Sequence, residues 1–211
     1  MPFQHSCFVS YRHTKKDRGN IYTSAIIDEL EQELDLLIER EIYLDRDRLR
    51  TGQIFEDVLA TKICQSVCML VLYWPTYFSI ENPFCSREFK AMEALEAQRL
   101  QLLSDPEEKS NGLILVLAVR GFKTIPNEIL KRRFCKDIEP FFRSPVSGRD
   151  NGAFQTVMSE VSQYIADRCQ AFERLNTDPF TGCPDFRLPD ERDIRDWIQG
   201  IRYVGQPFTN R

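Results

Sequence analysis

Short apolar runs alternate along most of the chain with segments in which apolar residues recur every three or four positions. Residues 7–11, Cys-Phe-Val-Ser-Tyr, form a β-prone run that ends in the polar, basic stretch 12–19, which reads as a strand followed by a loop. From 21 to 38, Ile21, Ala25, Ile26, Leu30, Leu34, Leu37 and Ile38 mark one face of an amphipathic helix with a solvated acidic face. Residues 41–44 give a second short strand, and the charged loop 45–52 closes on Gly52. A helix follows over 53–65, with Ile54, Phe55, Val58, Leu59 and Ile63 on one side. Residues 66–73 are almost continuously apolar, the pattern of a central parallel strand covered on both faces.

Pro83 suits the first turn of a helix, because its missing N–H is one of the groups that a helix start leaves unpaired. The next helix is therefore predicted from a cap at Asn82 to about Leu103, with Glu88 in its second turn. Residues 104–112 read as a surface turn, 113–119 as the fourth strand, 126–134 as a short helix and 137–139 as a weak edge strand. The last long helix falls in 151–175, with Phe154, Met158, Val161, Ile165, Cys169 and Phe172 as its buried stripe. From about Asn176 the composition shifts to Pro, Asp, Gly and Arg, with one plausible helix at 190–201 and no role that the residues assign. Alternating strands and helices with apolar strands imply the α/β class, a central parallel sheet layered by helices with right-handed crossovers.

At 211 residues the chain fits one domain of ordinary size with an extension, and no second large domain is required. Its 28 basic and 32 acidic residues are intermixed and the net charge is −4, so there is no general attraction to nucleic acid or anionic membranes, and neither is an expected partner. The odd number of cysteines, seven, and their scatter through apolar patterns read as reduced core residues. Residues 1–6 carry no signal-peptide pattern, and the apolar runs are far shorter than the roughly 20 residues that a membrane-spanning helix needs. The expectation is a soluble, cytoplasmic protein without internal repeats.

Familiar catalytic signatures are mostly missing. The sequence has no Gly-Xaa-Gly-Xaa-Xaa-Gly and no Gly-Lys-Ser/Thr phosphate loop. The two histidines, His5 and His13, lie near the start, and no Gly-Xaa-Ser-Xaa-Gly elbow accompanies them, which argues against a nucleophilic triad. The spacing Cys64-Xaa3-Cys68 lacks a second ligand pair and so does not make a zinc site.

What remains is a combination: Phe8-Val9-Ser10-Tyr11-Arg12 on the first strand, Asp45-Xaa3-Leu49-Xaa2-Gly52 after the second, and Phe84-Cys85-Xaa2-Glu88 after the third. In this order and spacing the chain resembles the Toll/interleukin-1 receptor (TIR) domain family, in its bacterial-type stand-alone enzymes. The resemblance covers about residues 5–140, extending at most to 175. Phe84 stands where the family most often has tryptophan, and the tail beyond 175 has no counterpart. The resemblance implies a flavodoxin-like three-layer sandwich with a central parallel sheet of about five strands, a TIR-like domain over 1–175 and a C-terminal extension over 176–211.

The family divides into adaptors that only bind other TIR domains and enzymes that cleave the nicotinamide–ribose bond of NAD+. The enzymes carry a glutamate at the position matching Glu88, whereas many adaptors lack it. A glutamate early in a helix is also favoured by the helix dipole alone. By resemblance, Glu88 is the catalytic residue of an NAD+ glycohydrolase or ADP-ribose cyclase in immune, antiphage signalling. It would stabilise the oxocarbenium-like ribose while the already cationic nicotinamide leaves. NAD+ is then a substrate, and no cofactor or metal is expected.

Substrate contacts are expected from Phe8, Ser10, Tyr11, Arg12, His13, Asp45, Leu49, Gly52, Phe84 and Cys85. Arg12, with His13 beside it, could bind the diphosphate or could simply pair with Asp17 or Asp45. Phe8 and Tyr11 could line the nicotinamide pocket, although strand aromatics are usually core, and Phe8 reads as packing. The loop 45–52 could be solvated by its own charges, or by resemblance could close over the nucleotide and contact a second copy. Self-association through TIR–TIR contacts would then control activity, and the nucleotide product could act on a separate effector. The rival reading is a non-enzymatic interaction module that needs only exposed helix and loop surfaces. Transfer or hydrolysis on a related nucleotide would use much the same site.

Overall fold

The computed structural model describes residues 3–12, 17–44, 53–143, 151–175 and 183–201. Five strands form one all-parallel sheet in the order β2-β1-β3-β4-β5, with β1 His5–Tyr11, β2 Tyr43–Leu44, β3 Ser66–Tyr73, β4 Ile114–Ala118 and β5 Phe134–Asp137. Every residue of β3 and β4 is buried, as the unbroken apolar runs require of strands covered on both faces. The expected α/β class and flavodoxin-like layering are therefore present.

The longer helices are α1 Asp17–Asp35, α2 Gln53–Cys64 and α3 Phe84–Leu102, followed by the single-turn α4 Pro106–Ser110, α5 Asn127–Arg132 and α6 Glu139–Arg143, then α7 Gly152–Glu173 and α8 Glu191–Gly200. Helix α1 packs on α7, α2 packs on α3, and α3 also carries α8. The stripe expected on the long penultimate helix is buried at all six positions, Phe154, Met158, Val161, Ile165, Cys169 and Phe172. Among the described residues no helix is long and apolar enough to cross a membrane.

Helix α1 runs over 17–35 rather than 21–38, leaving Ile21 exposed and Leu37 and Ile38 past its end, and four further expectations shift. Helix α3 starts at Phe84 with Pro83 as its cap rather than at Asn82, because the ring of a proline pushes the preceding residue out of helical backbone. The turn at 104–112 contains α4, capped by the Asp105 carboxylate, which accepts from the Glu107 N–H at 2.9 Å. The last strand is Phe134–Asp137, not 137–139, since pairing of Leu115 with Phe134 and of Ala118 with Asp137 fixes the edge. A weak edge segment is decided by its neighbour rather than by its own pattern.

The fourth shift concerns the tail and the cysteines. Cys64, the last residue of α2, is bonded to Cys183, with the Cα atoms 5.6 Å apart, so these two are not reduced core thiols. Their separation of 119 positions hides the pair from any spacing argument. Next to the disulfide, Leu188 is buried, and Ile194 and Ile198 of α8 are buried towards α3. The Trp197 ring lies parallel to Phe89 at 6.1 Å and edge-on to Phe78 at 5.6 Å.

Two tests follow from this packing. An unfolded, unreduced chain is expected to show five reactive thiols, those of Cys7, Cys68, Cys85, Cys135 and Cys169, and seven after reduction. Losing the disulfide through Cys183→Ser should cost about 2–5 kcal/mol in denaturant unfolding. The second test uses His5 at the amino end of β1, where burial and the neighbouring Lys62 charge lower its pKa from 6.5 to about 4. Between those values the unfolded chain binds more protons than the folded one, so the contribution is full above 6.5 and is lost as pH falls towards 4. Replacing His5 with Gln should flatten this part of the stability profile in urea titrations.

Candidate functional site

The connection from β1 runs to one edge of the sheet through β2, and β3 to β5 extend to the other, so the strand order reverses between β1 and β3. Open α/β sheets bind ligands outside the carboxyl ends of the strands at such a point, and the order 2-1-3-4-5 has it there. Phe8, Ser10, Tyr11 and Arg12 fall on or just after β1, and Phe84, Cys85 and Glu88 open α3 after β3.

Glu88 occupies the second turn of α3 and is wholly buried. A carboxyl group without solvent must be met by polar partners. Ser10 donates its hydroxyl to Glu88 Oε2, and the same Ser10 oxygen lies 2.6 Å from the Tyr77 hydroxyl. Ser10 and Tyr77 are themselves fully buried. The first turn of α3 carries no acidic residue. The helix dipole, strongest within that turn, is therefore not the feature that Glu88 answers.

Two further contacts close the same seam. The Cys85 thiol points at the Tyr11 carbonyl at 3.6 Å, and Arg12 Nη1 donates to the Thr76 carbonyl at 2.6 Å. The Arg12 guanidinium thus holds the β3–α3 connection. Phe84 is half-buried beneath the Arg87 guanidinium, 5.8 Å from its ring. Arg87 makes a two-pronged contact with Glu56 at 2.9 and 2.8 Å, and its Nε donates to the Pro189 carbonyl at 2.8 Å. These bonds hold the Glu56 carboxyl below the usual carboxylate range.

Alternation along β1 divides the expected contacts between two faces. Ser10 faces α3. Tyr11 faces α1 and lines a cleft of about 350 Å³ with Asn20, Thr23, Asp28 and Leu44 at the carboxyl ends of β1 and β2. Phe8 is buried and stacked on Tyr43 at 5.5 Å, a packing position. His13, Asp45, Leu49 and Gly52 lie outside the described residues. A groove of about 750 Å³ along α7, lined in part by Gln155, Ser159 and Gln163, contains none of the expected site residues.

No family model and no curated protein matches the sequence. Among solved structures the chain matches the TIR domains of the activated Roq1 resistosome directly recognizing the pathogen effector XopQ. The match has 14% identity over 92% of this chain and 96% of that chain, at a TM-score of 0.36. At that score the likeness carries no argument, and the fold rests on the sheet order itself.

Tyr77 is the site residue that sequence reasoning missed. It lies between β3 and α3, where no periodicity applies, and its contact with Ser10 spans 67 positions. The Ser10–Glu88 contact is directly testable. Ser10→Ala leaves a buried carboxyl short of a donor and should cost about 1–3 kcal/mol. In a double-mutant cycle with Glu88→Gln, read by denaturant unfolding, the two losses should fail to add by about 0.5–3 kcal/mol.

Proposed function

We propose that this chain is an NAD+ glycohydrolase or ADP-ribose cyclase of TIR type, with Glu88 as its catalytic carboxylate. The observation that supports this reading most is the position of Glu88 at the reversal between β1 and β3, beside the carboxyl end of β1. Nicotinamide is cationic in NAD+ and leaves without being protonated. The ribose carbon it leaves becomes oxocarbenium-like, and a nearby carboxylate lowers the energy of that charge. Water attacking this carbon yields ADP-ribose, nicotinamide and one proton, whereas attack by an adenine nitrogen of the same molecule yields a cyclic isomer. NAD+ is substrate in both cases, and the product would carry the immune signal to an effector.

Glu88 is closed off from solvent in the arrangement described. For the ribose to reach it, the seam closed by Cys85 and Arg12 must open while Ser10 stays on the carboxyl group. A requirement for self-association between copies is the natural control on such a step, so an isolated copy is expected to be slow. The same burial favours a second reading, a non-enzymatic TIR interaction module in which Glu88 only ties β1 to α3.

Nicotinamide release decides between the two readings. Concentrated protein with a crowding agent is expected to release nicotinamide from NAD+, and Glu88→Gln to release it on the order of a hundredfold more slowly or not at all. Equal rates for the two proteins, or no release from either under assembling conditions, would favour the interaction module.

A further inference from the structure

We propose that Tyr77 is a positioning residue that orients the Glu88 carboxyl group through Ser10. Ser10 has a single hydroxyl proton, and that proton is directed at Glu88 Oε2. With the Glu88 carboxylate as acceptor, the hydrogen shared over the 2.6 Å between Ser10 and Tyr77 comes from the tyrosine. The chain runs in one direction, from Tyr77 to Ser10 to Glu88. A lone serine hydroxyl can rotate among staggered positions. Accepting from Tyr77 fixes this one and polarises it towards the carboxylate.

Tyr77 is itself held. Its backbone N–H donates to the Trp74 carbonyl at 2.8 Å, and its ring lies edge-on to Phe78 at 4.9 Å. It acts on the site through Ser10, which separates positioning from catalysis. Tyr73 provides a matched comparison. It belongs to the same aromatic cluster, with its ring 6.3 Å from that of Tyr77, but its hydroxyl donates to the Thr124 carbonyl at 2.8 Å.

The test compares Tyr77→Phe with Tyr73→Phe, each of which removes one buried hydroxyl. The carboxyl carbon signal of Glu88, assigned by its loss in Glu88→Gln, is followed by NMR in protein labelled with carbon-13 at glutamate. Tyr77→Phe is expected to move that signal, and Tyr73→Phe to leave it in place while losing similar stability. The kinetic arm alone rests on the glycohydrolase reading. There Tyr77→Phe should lower kcat for NAD+ cleavage about tenfold, the factor one ordinary hydrogen bond supplies, with KM little changed.

An unmoved Glu88 signal in Tyr77→Phe, an equal movement in Tyr73→Phe, or a wild-type kcat in Tyr77→Phe overturns the proposal. A wild type that does not cleave NAD+ overturns the glycohydrolase reading instead, and the NMR signal still decides whether Tyr77 orients Glu88.

Discussion

A carboxyl group at the centre of a protein is cut off from bulk solvent and must find hydrogen-bond donors close by. Glu88 is in that position, and much of the surrounding geometry answers to it. Ser10 turns its hydroxyl from β1 towards α3, and Tyr77 backs it from the connection between β3 and α3. The sheet order makes this meeting possible. With β1 and β3 paired in parallel, Ser10 opposite Val71 and Tyr11 opposite Leu72, the end of β1 comes to the start of the segment that leads into α3.

Helix α3 fixes the carboxyl from the other side. Its consecutive residues point in different directions, and each is committed to a different neighbour. Arg87 joins Glu56 of α2 to the Pro189 carbonyl, Glu88 meets Ser10, Phe89 packs against Phe78 and Trp197, and Lys90 sits 5.0 Å over the Trp197 ring. A helix gripped on several sides gives a site rigidity that a loop cannot. The C-terminal segment is thus one of the elements that hold α3, and the disulfide at Cys64 ties its beginning to α2.

Much of this fold is legible in the sequence where periodicity is strong. The predicted span 66–73 coincides with β3, and the stripe from Phe154 to Phe172 is the buried face of α7. Legibility fails where a distant partner decides. β5 is placed by β4, and the Cys64–Cys183 bond needs a tail that folds back over 119 residues. At the site, the position of Glu88 in the second turn of α3 could be read from Pro83 onwards, but its burial could not. The period of a strand sends Ser10 to one face of the sheet and Tyr11 to the other, so the two would meet a common ligand only beyond the end of β1. Tyr77 could be found only once the chain had folded.

On the proposed function, the nucleotide binds beyond the carboxyl ends of β1 and β3, where the strand order reverses. Amide NMR shifts recorded while NAD+ is titrated into the Glu88→Gln chain, in which turnover is slow or absent, locate the nucleotide directly. Movements are expected to concentrate at Ser10, Tyr11 and Arg12 and at residues 74–77. Movements confined to the groove along α7, or none at saturating NAD+, would contradict that location.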